Sequence, residues 1–356
     1  MVNSLSPALP LRSAVAAVSA YGGMRGMIES ALALAAQSVD GVLAVLVETS
    51  GSASRKQGAM ALYAESGHVT GALAGGTLQQ RLHEAARTVL ANGKAIAVAL
   101  DSRQDSSHTA MEADRGGGIL HILLLPLPSR AAPLRDALGK ACTSSAWLRL
   151  RLELGDDAER NVSFGAGEAR IGQEMFAFDN HGNPCAFARH FVRHVSLTFA
   201  PPPRLALLGS GVESLTIVRL AHLLGWYAEI IDARADSLGP AVSRDADQLH
   251  RHLPDDLPEL LAERHFDAAI IGGNDFEIDL GYLRHLATAG IGYIGLLGPP
   301  ERRDAFLTRL GDIIATQLEP RLYAPAGLRL GGDGPEVTAL AVVAQLQYYL
   351  AHDAHA

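Results

Sequence analysis

The chain has 356 residues, 48% of them hydrophobic and 19% charged, with 38 acidic against 30 basic side chains and a formal net charge of −8. That composition excludes wholesale disorder, and at ~150 residues per domain the length predicts two or three domains. The acidic balance lacks the clustered Lys and Arg that a nucleic-acid or anionic-membrane binder needs. Two cysteines, Cys142 and Cys185, exclude a disulfide scaffold, a Cys-x-x-Cys zinc knuckle and a multi-cysteine redox centre.

Met1 to Arg12 lacks the basic-then-apolar order of a secretory signal, and no run reaches the ~18 apolar residues of a membrane span, so a cytoplasmic location is expected. Alanine and leucine predict a helix around Ala14 to Ala36, and Val42 to Glu48 reads as a buried strand. A loop of small residues follows, Thr49 to Gly58, carrying hydroxyls at Thr49, Ser50, Ser52 and Ser54 and cations at Arg55 and Lys56. Ala59 to Tyr63 and His68 to Leu73 predict a hairpin about Glu65-Ser66-Gly67, and a helix from Thr77 to Leu90 follows Gly75-Gly76. Strands at Ala95 to Leu100 and Ile119 to Leu125 bracket a polar loop. Short alternating runs from Trp147 to Phe199 predict mostly β structure.

Pro201-Pro202-Pro203 marks a break, because consecutive prolines give no ladder donors and favour an extended connector. Strands are then expected at Arg204–Leu208, Ala228–Ile231, Phe266–Ile271 and Ile291–Leu297. Helices are expected at Val212–Leu224, Asp279–Ala289, Glu301–Leu310 and Pro335–Leu350. Strands alternating with helices imply parallel pairing with right-handed crossovers. The fold class is α/β: an amino-terminal mixed α/β domain over 1–200 and a Rossmann-like doubly wound domain over 201–356.

Gly209-Ser210-Gly211 lies between a strand and a helix, where backbone N–H groups and the helix dipole favour an anion such as pyrophosphate. Asp232 ends the next strand, the usual place for a carboxylate that accepts from ribose hydroxyls, and Arg234 stands beside it. The third position of the G-x-G-x-x-G pattern is Ser214. In the first half, the hydroxyls, glycines and two cations of the Thr49–Gly58 loop suit an anionic ligand, and Gly75-Gly76 is a second such turn. A flexible connector would have a similar composition. His190 and His194 are four apart in a strand pattern, ~13 Å, too far to share one metal ion, so no metal site is assigned.

Six ordered segments together resemble the XdhC/CoxI family, accessory proteins that mature xanthine dehydrogenase and related molybdenum hydroxylases. They are Val45–Gly58, Gly71–Gly76, Pro202–Gly211 with Gly225-Trp226 and Ile231–Arg234, Tyr293–Pro299, Ala324–Leu328 and Gly334–Glu336. The resemblance implies a protein that binds the molybdenum cofactor (molybdopterin or its dinucleotide form), assists its sulfuration with a cysteine desulfurase, and delivers it to an apo-hydroxylase. It also implies a homodimer. The candidate cofactor-binding residues are Ser52, Ser54, Arg55, Lys56, Gly75, Gly76, Thr77, Gly209, Gly211, Asp232, Arg234, Asn274, Gly295 and Gly298.

The chain departs from the family pattern where thiols are expected. The Gly-Gly-Cys-x-Glu motif is Gly75-Gly76-Thr77-Leu78-Gln79, and a Cys-Gly-Gly appears as Gly116-Gly117-Gly118. Asn274-Asp275 before Asp279 lacks the family's histidine. Two alternative functions stand beside cofactor delivery. One is a degenerate, non-catalytic member acting through partner binding alone. The other is a NAD(P)-binding oxidoreductase using Gly209, Gly211 and Asp232.

Overall fold

A computed structural model describes residues 22–51, 55–101, 118–130, 132–156, 162–186, 193–234 and 245–352. The first half contains α1 (Gly23–Ala36), β1 (Gly41–Gly51), β2 (Met60–Ala64), β3 (Gly67–Gly71), α2 (Gly76–Asn92), β4 (Ile96–Asp101), β5 (Gly118–Leu127) and α3 (Pro133–Thr143). Then come β6 (Leu148–Asp156), β7 (Val162–Ile171), β8 (Glu174–Asp179) and β9 (Arg193–Phe199). The second half runs β10 (Arg204–Leu208), α4 (Ser214–Leu224), β11 (Tyr227–Ile231), β12 (Gln248–His250), α5 (Leu257–Glu263), β13 (Ala268–Ile271) and α6 (Phe276–Leu286). It closes with β14 (Tyr293–Leu296), α7 (Pro300–Leu310), α8 (Asp312–Leu318), β15 (Leu322–Tyr323) and α9 (Pro335–His352).

Among the described residues these strands form three sheets. The first has the order β3-β2-β1-β5-β4 and the second β8-β7-β6-β9, both antiparallel; the third is parallel, β12-β11-β10-β13-β14-β15. β1 is apolar along most of its length because it is covered on both faces. Leu43, Val45 and Val47 pack with α1, α3 and the second sheet, while Val42, Ala44 and Leu46 pack with α2. The parallel sheet is also covered twice, by α4 and α9 on one face and by α5, α6 and α7 on the other. That double cover is why its strands are short and apolar throughout.

The expected hairpin is present, with Ala64 opposite Gly67, and the 147–199 region is a four-stranded meander-like sheet, in keeping with its alternation. Several elements differ from expectation. Thr49, Ser50 and Gly51 extend β1 instead of opening a loop, because β5 offers partners at Leu120, Ile119 and Gly118. α6 starts three residues before the expected Asp279, because the Asp275 carboxylate caps it, accepting from the N–H groups of Glu277 and Ile278 at 3.1 Å each. α3, α5 and α8 are additions to the expected elements. α3 carries helical apolar spacing at Leu134, Ala137, Leu138 and Ala141, with Pro133 at its first position. The expected helix start at Ala14 lies outside the described residues.

The first half docks on the amino-terminal edge of the parallel sheet. Gly22 N–H donates to His222 O at 2.9 Å, where a Cβ on Gly225 would stand 2.2 Å from Gly22 O, so the backbones cross at a pair of glycines. Arg25, 3% exposed, donates to Trp226 O at 2.7 Å and pairs with both oxygens of Asp247. Asp247 also accepts from Ala228 N–H (2.8 Å) and meets His222 Nε2 at 2.9 Å. The guanidinium groups of Arg25, at 4.0 Å, and Arg204, at 4.3 Å, both lie over the Tyr227 ring.

Candidate functional site

β10 lies between β11 and β13, so the chain leaves the sheet in opposite directions beside it, and the crevice at the carboxyl ends of β10 and β13 is the switch point where such sheets bind ligands. Its walls are Gly209-Ser210-Gly211 and Gly272-Gly273. Gly209 has φ +89°, and a Cβ there would lie 2.6 Å from Gly273 N and Cα; a Cβ on Gly211 would lie 2.7 Å from Gly272 O. Only glycines let the two loops approach this closely. α4 begins with no side-chain cap and no acid in its first turn, although the preceding Glu213 holds a carboxylate oxygen near Gly211.

Asp232 does not present itself to a ribose. Its carboxylate is 2% exposed and turned into the glycine loop. Oδ2 accepts from Ser210 N–H (2.8 Å) and Ser210 Oγ–H (2.5 Å); Oδ1 accepts from Arg234 N–H at 2.8 Å. The Arg234 guanidinium lies over the same carboxylate at 3.4 and 3.5 Å. Burial alone would raise the acid, but the bonds from Ser210 and Arg234 outweigh it and hold Asp232 below the ordinary carboxylate range.

A second carboxylate at this edge behaves oppositely. Asp279, in the first turn of α6, is 1% exposed. Oδ2 accepts from Arg302 Nη2 at 2.5 Å, while Oδ1 is buried without a hydrogen-bond partner and sits where a Cβ of Gly273 would be. Burial pushes this carboxyl up to about 6, with Arg302 opposing the rise. Arg302 also donates to Leu297 O (3.1 Å) and Gly273 O (2.8 Å), tying the loops after β13 and β14 together. In the sequence Asp279 serves as the expected helix start and as a landmark after Asn274-Asp275. The signal it does carry is that of an acid on the apolar face of a helix, beside Leu280 and Leu283.

The other expected residues fall as follows. Asn274 and Gly298 are exposed at the same carboxyl edge. Gly295 is buried inside β14, where a Cβ would stand 3.1 Å from the Tyr293 ring and 3.2 Å from Ala326, so the sheet face is crowded at this position. Ser52 and Ser54 lie outside the described residues. Arg55 and Lys56 are exposed, and the backbone after them is pinned to β1 by Gln57 Nε2 to Val47 O and Gly58 N–H to Leu46 O, both 2.8 Å. A cavity of about 320 Å³ opens there, lined by Gln57, Gly58 and Ser196 to Phe199. A second, about 580 Å³, lies between α6 and α7 along Phe276, Glu277 and Arg309, and includes none of the expected site residues.

Gly75, Gly76 and Thr77 open α2 with no side-chain cap. Since Gly71 stands opposite Ala61, this turn and the Arg55-Lys56 loop emerge at the same end of the first sheet. Beneath them Gln79 donates to Tyr63 Oη at 3.2 Å, and burial raises the Tyr63 phenol. Gln79 Oε1 and His83 Nε2 are buried without partners. Apart from Gly295 within β14, and Ser52 and Ser54 outside the described residues, the expected residues thus form two groups. One is at the carboxyl edge of the parallel sheet; the other is on the half that docks at its amino edge.

Comparison with known proteins decides the family. The family model described as the XdhC Rossmann domain matches residues 205–346, and that of the XdhC and CoxI family matches residues 34–101. The chain belongs to the XdhC/CoxI family. A protein of Bacillus subtilis, named as a probable subunit of xanthine dehydrogenase, is 26% identical over 338 residues, covering 88% of this chain and 94% of that protein. An uncharacterized protein of Escherichia coli, YqeB, is 29% identical over 146 residues, 40% of this chain and 27% of its own length. The crystal structure of a xanthine dehydrogenase from Bacillus halodurans superposes with a TM-score of 0.75 at 23% identity, covering 92% of this chain and 96% of that one. This XdhC-type chain therefore shares a mixed α/β fold with a parallel, Rossmann-like half.

Proposed function

We propose that the protein is an accessory factor of a xanthine dehydrogenase-type molybdenum hydroxylase that binds the molybdenum cofactor, assists its sulfuration and delivers it to the apo-enzyme. The observation that carries this reading is the likeness, along 88% of the chain, to a protein named as a probable part of xanthine dehydrogenase. The partners are then the apo-hydroxylase and a cysteine desulfurase, with the protein acting as a homodimer.

The residues fit the organic part of such a cargo better than its metal. At the glycine walls the N–H groups of Gly209, Ser210 and Gly272 already donate to Ile231 O, Asp232 Oδ2 and Leu208 O, which leaves Gly211 and Gly273, with the Arg234 guanidinium near them, to meet an anion. Among the described residues no thiol stands at either glycine cluster. Cys142 is buried in α3 beside Tyr227 at the amino edge, with its thiol raised by burial, and Cys185 follows β8 in the second sheet. Sulfur would come from the desulfurase, and this chain's part would be to hold and orient the pterin phosphate.

The test is to express the protein in cells making the pterin, oxidise the purified sample and measure the fluorescent pterin product. Near-stoichiometric pterin, and activation of an apo-hydroxylase that falls at least about tenfold in an Arg55→Ala/Lys56→Ala variant, is the expected result. Pterin-free protein in repeated preparations that also fails to activate any hydroxylase overturns the proposal.

A further inference from the structure

β6 alternates leucine with charge. Leu148, Leu150, Leu152 and Leu154 enter the core, so Arg149 and Arg151 lie on the opposite face of the second sheet. Register places one row across all four strands of that face: Thr198, Arg149, Arg170 and Met175. Like charges directly opposite one another in an antiparallel pair are destabilising, so Arg149 facing Arg170 costs the sheet stability. Arg170 reaches the Met175 sulfur at 3.4 Å. Trp147 stands beside the row, between the core-packed Ala146 and Leu148. Trp147 is 42% and Met175 50% exposed, and Arg149, Ser196 and Thr198 are exposed with them. The neighbouring acids are already engaged or buried. Glu168 is buried and holds Arg170 at 3.0 Å, Glu153 is buried, and Glu174 pairs with Lys140 of α3. Asp179 accepts from the N–H groups of His181 and Asn183 in the turn after β8. The face is thus locally positive on a chain whose formal charge is −8.

Tryptophan, methionine and arginine are the residue types that concentrate at the centres of protein–protein contacts, with polar groups at the rim. We propose that this face docks an acidic patch of the apo-hydroxylase: Trp147 and Met175 are the apolar anchors, and Arg149 and Arg170 meet the partner's carboxylates. The inference rests on the delivery function proposed above. Carboxylates arriving between Arg149 and Arg170 relieve their repulsion through charge-assisted bonds. A second copy of the chain fits poorly, because a two-fold contact sets this positive patch against its own copy. A nucleic acid fits poorly too, since a phosphate backbone calls for more cations than this face carries and makes no use of an exposed indole and thioether. The position suits delivery. Ser196 and Thr198 also line the cavity of about 320 Å³ with Gln57 and Gly58, so a partner on this face stands next to the loop of Arg55 and Lys56.

The experiment measures binding of the full chain to purified, immobilised apo-hydroxylase at low and at high salt. Affinity falls at least about fivefold with the added salt, as a charge-matched contact requires. Arg149→Glu weakens binding at least about tenfold, while Arg149→Lys keeps most of it. The melting temperature of Arg149→Glu is unchanged or higher, because a repulsive cross-strand pair becomes an attractive one, so its lost binding is not a folding defect. Trp147→Ala weakens binding at least about fivefold through the lost anchor. Wild-type affinity in Arg149→Glu, salt-independent binding, or no hydroxylase binding at all overturns the proposal. So does a loss confined to desulfurase binding, to self-association or to binding of a DNA oligonucleotide, each of which gives the face to another occupant. Pterin content is read on the same samples and stays at the wild-type level in both variants; a parallel fall would make the face part of the cofactor site. A chain that carries pterin and activates the hydroxylase regardless of Arg149 separates failure of this surface from failure of the delivery function.

Discussion

The two edges of the parallel sheet are built from the same kinds of residue and do opposite things. At the amino edge Asp247 is surrounded by donors from Arg25, His222 and Ala228, and the glycines at 22 and 225 let two backbones cross, so charge and close approach close a joint. At the carboxyl edge Gly209 and Gly273 allow an equally close approach, but Asp279 keeps an unpaired oxygen. Glycine contact and a buried acid are therefore not sufficient marks of a site. What separates the edges is that the carboxyl edge has, beside the filled Asp232, a second acid with an acceptor left over.

The largest expected effect comes from unbalancing the closed edge. Arg25→Met leaves Asp247 buried without its main counter-charge, and thermal and urea unfolding should show a loss of about 3–5 kcal/mol. Adding Asp247→Asn should recover most of it, since the deficit is an uncompensated charge and not lost packing. If the double variant is as unstable as the single one, the joint is held by what the guanidinium itself does, its stacking on Tyr227 and its bond to Trp226 O. Gly225→Ala attacks the same edge by geometry. At φ +81° with Gly22 O so close, the new Cβ should lower stability by roughly 1–3 kcal/mol. An unchanged melting temperature would mean the two halves can slide apart at no cost.

At the open edge, Asp232→Asn keeps a side chain of the same shape but removes the charge that Ser210 and Arg234 bond. A loss of about 1–2 kcal/mol is expected, smaller than that of Arg25→Met because the surrounding groups are one backbone turn and not a domain joint. A larger loss would put the glycine loop on the same footing as the closed edge and blur the distinction.

Much of this architecture is legible in the residues, and the limits are physical. The parallel half is plain because strands covered on both faces carry unbroken apolar runs, and because the glycine turn and Asp232 fall at fixed places in a strand–helix–strand unit. The hairpin at Glu65-Ser66-Gly67 is legible from alternation and turn chemistry. The fate of Asp232 is not, since spacing locates a carboxylate without saying which donors it meets; Ser210, in the turn after the neighbouring strand, decides that. Asp279 is hidden because the cap at Asp275 moves the helix start upstream and buries an acid that would otherwise read as part of a solvated first turn. Gly295 shows the converse, since a glycine can serve a crowded sheet face as readily as a ligand.

The smallest expected effect, and the one that best separates the edges, is a slope. Asp232 and Asp247 sit below the ordinary carboxylate range, so the folded chain holds fewer protons there than the unfolded one, and their contribution is lost as pH falls through and below that range. Asp279 is pushed up to about 6. Between the ordinary carboxylate value of ~4 and about 6 the folded chain keeps a proton that the unfolded chain has released, so stability falls as pH rises through that window and levels off above it. Asp279→Asn keeps an acceptor for Arg302 and should change stability at neutral pH by no more than ~1 kcal/mol, yet it should remove the decline between about pH 4 and 6. Denaturant unfolding at half-unit pH intervals reads both. A wild-type curve that rises across the whole window, unaltered by Asp279→Asn, would place Asp279 with the filled carboxylates Asp232 and Asp247 and leave the carboxyl edge without its unsatisfied acceptor.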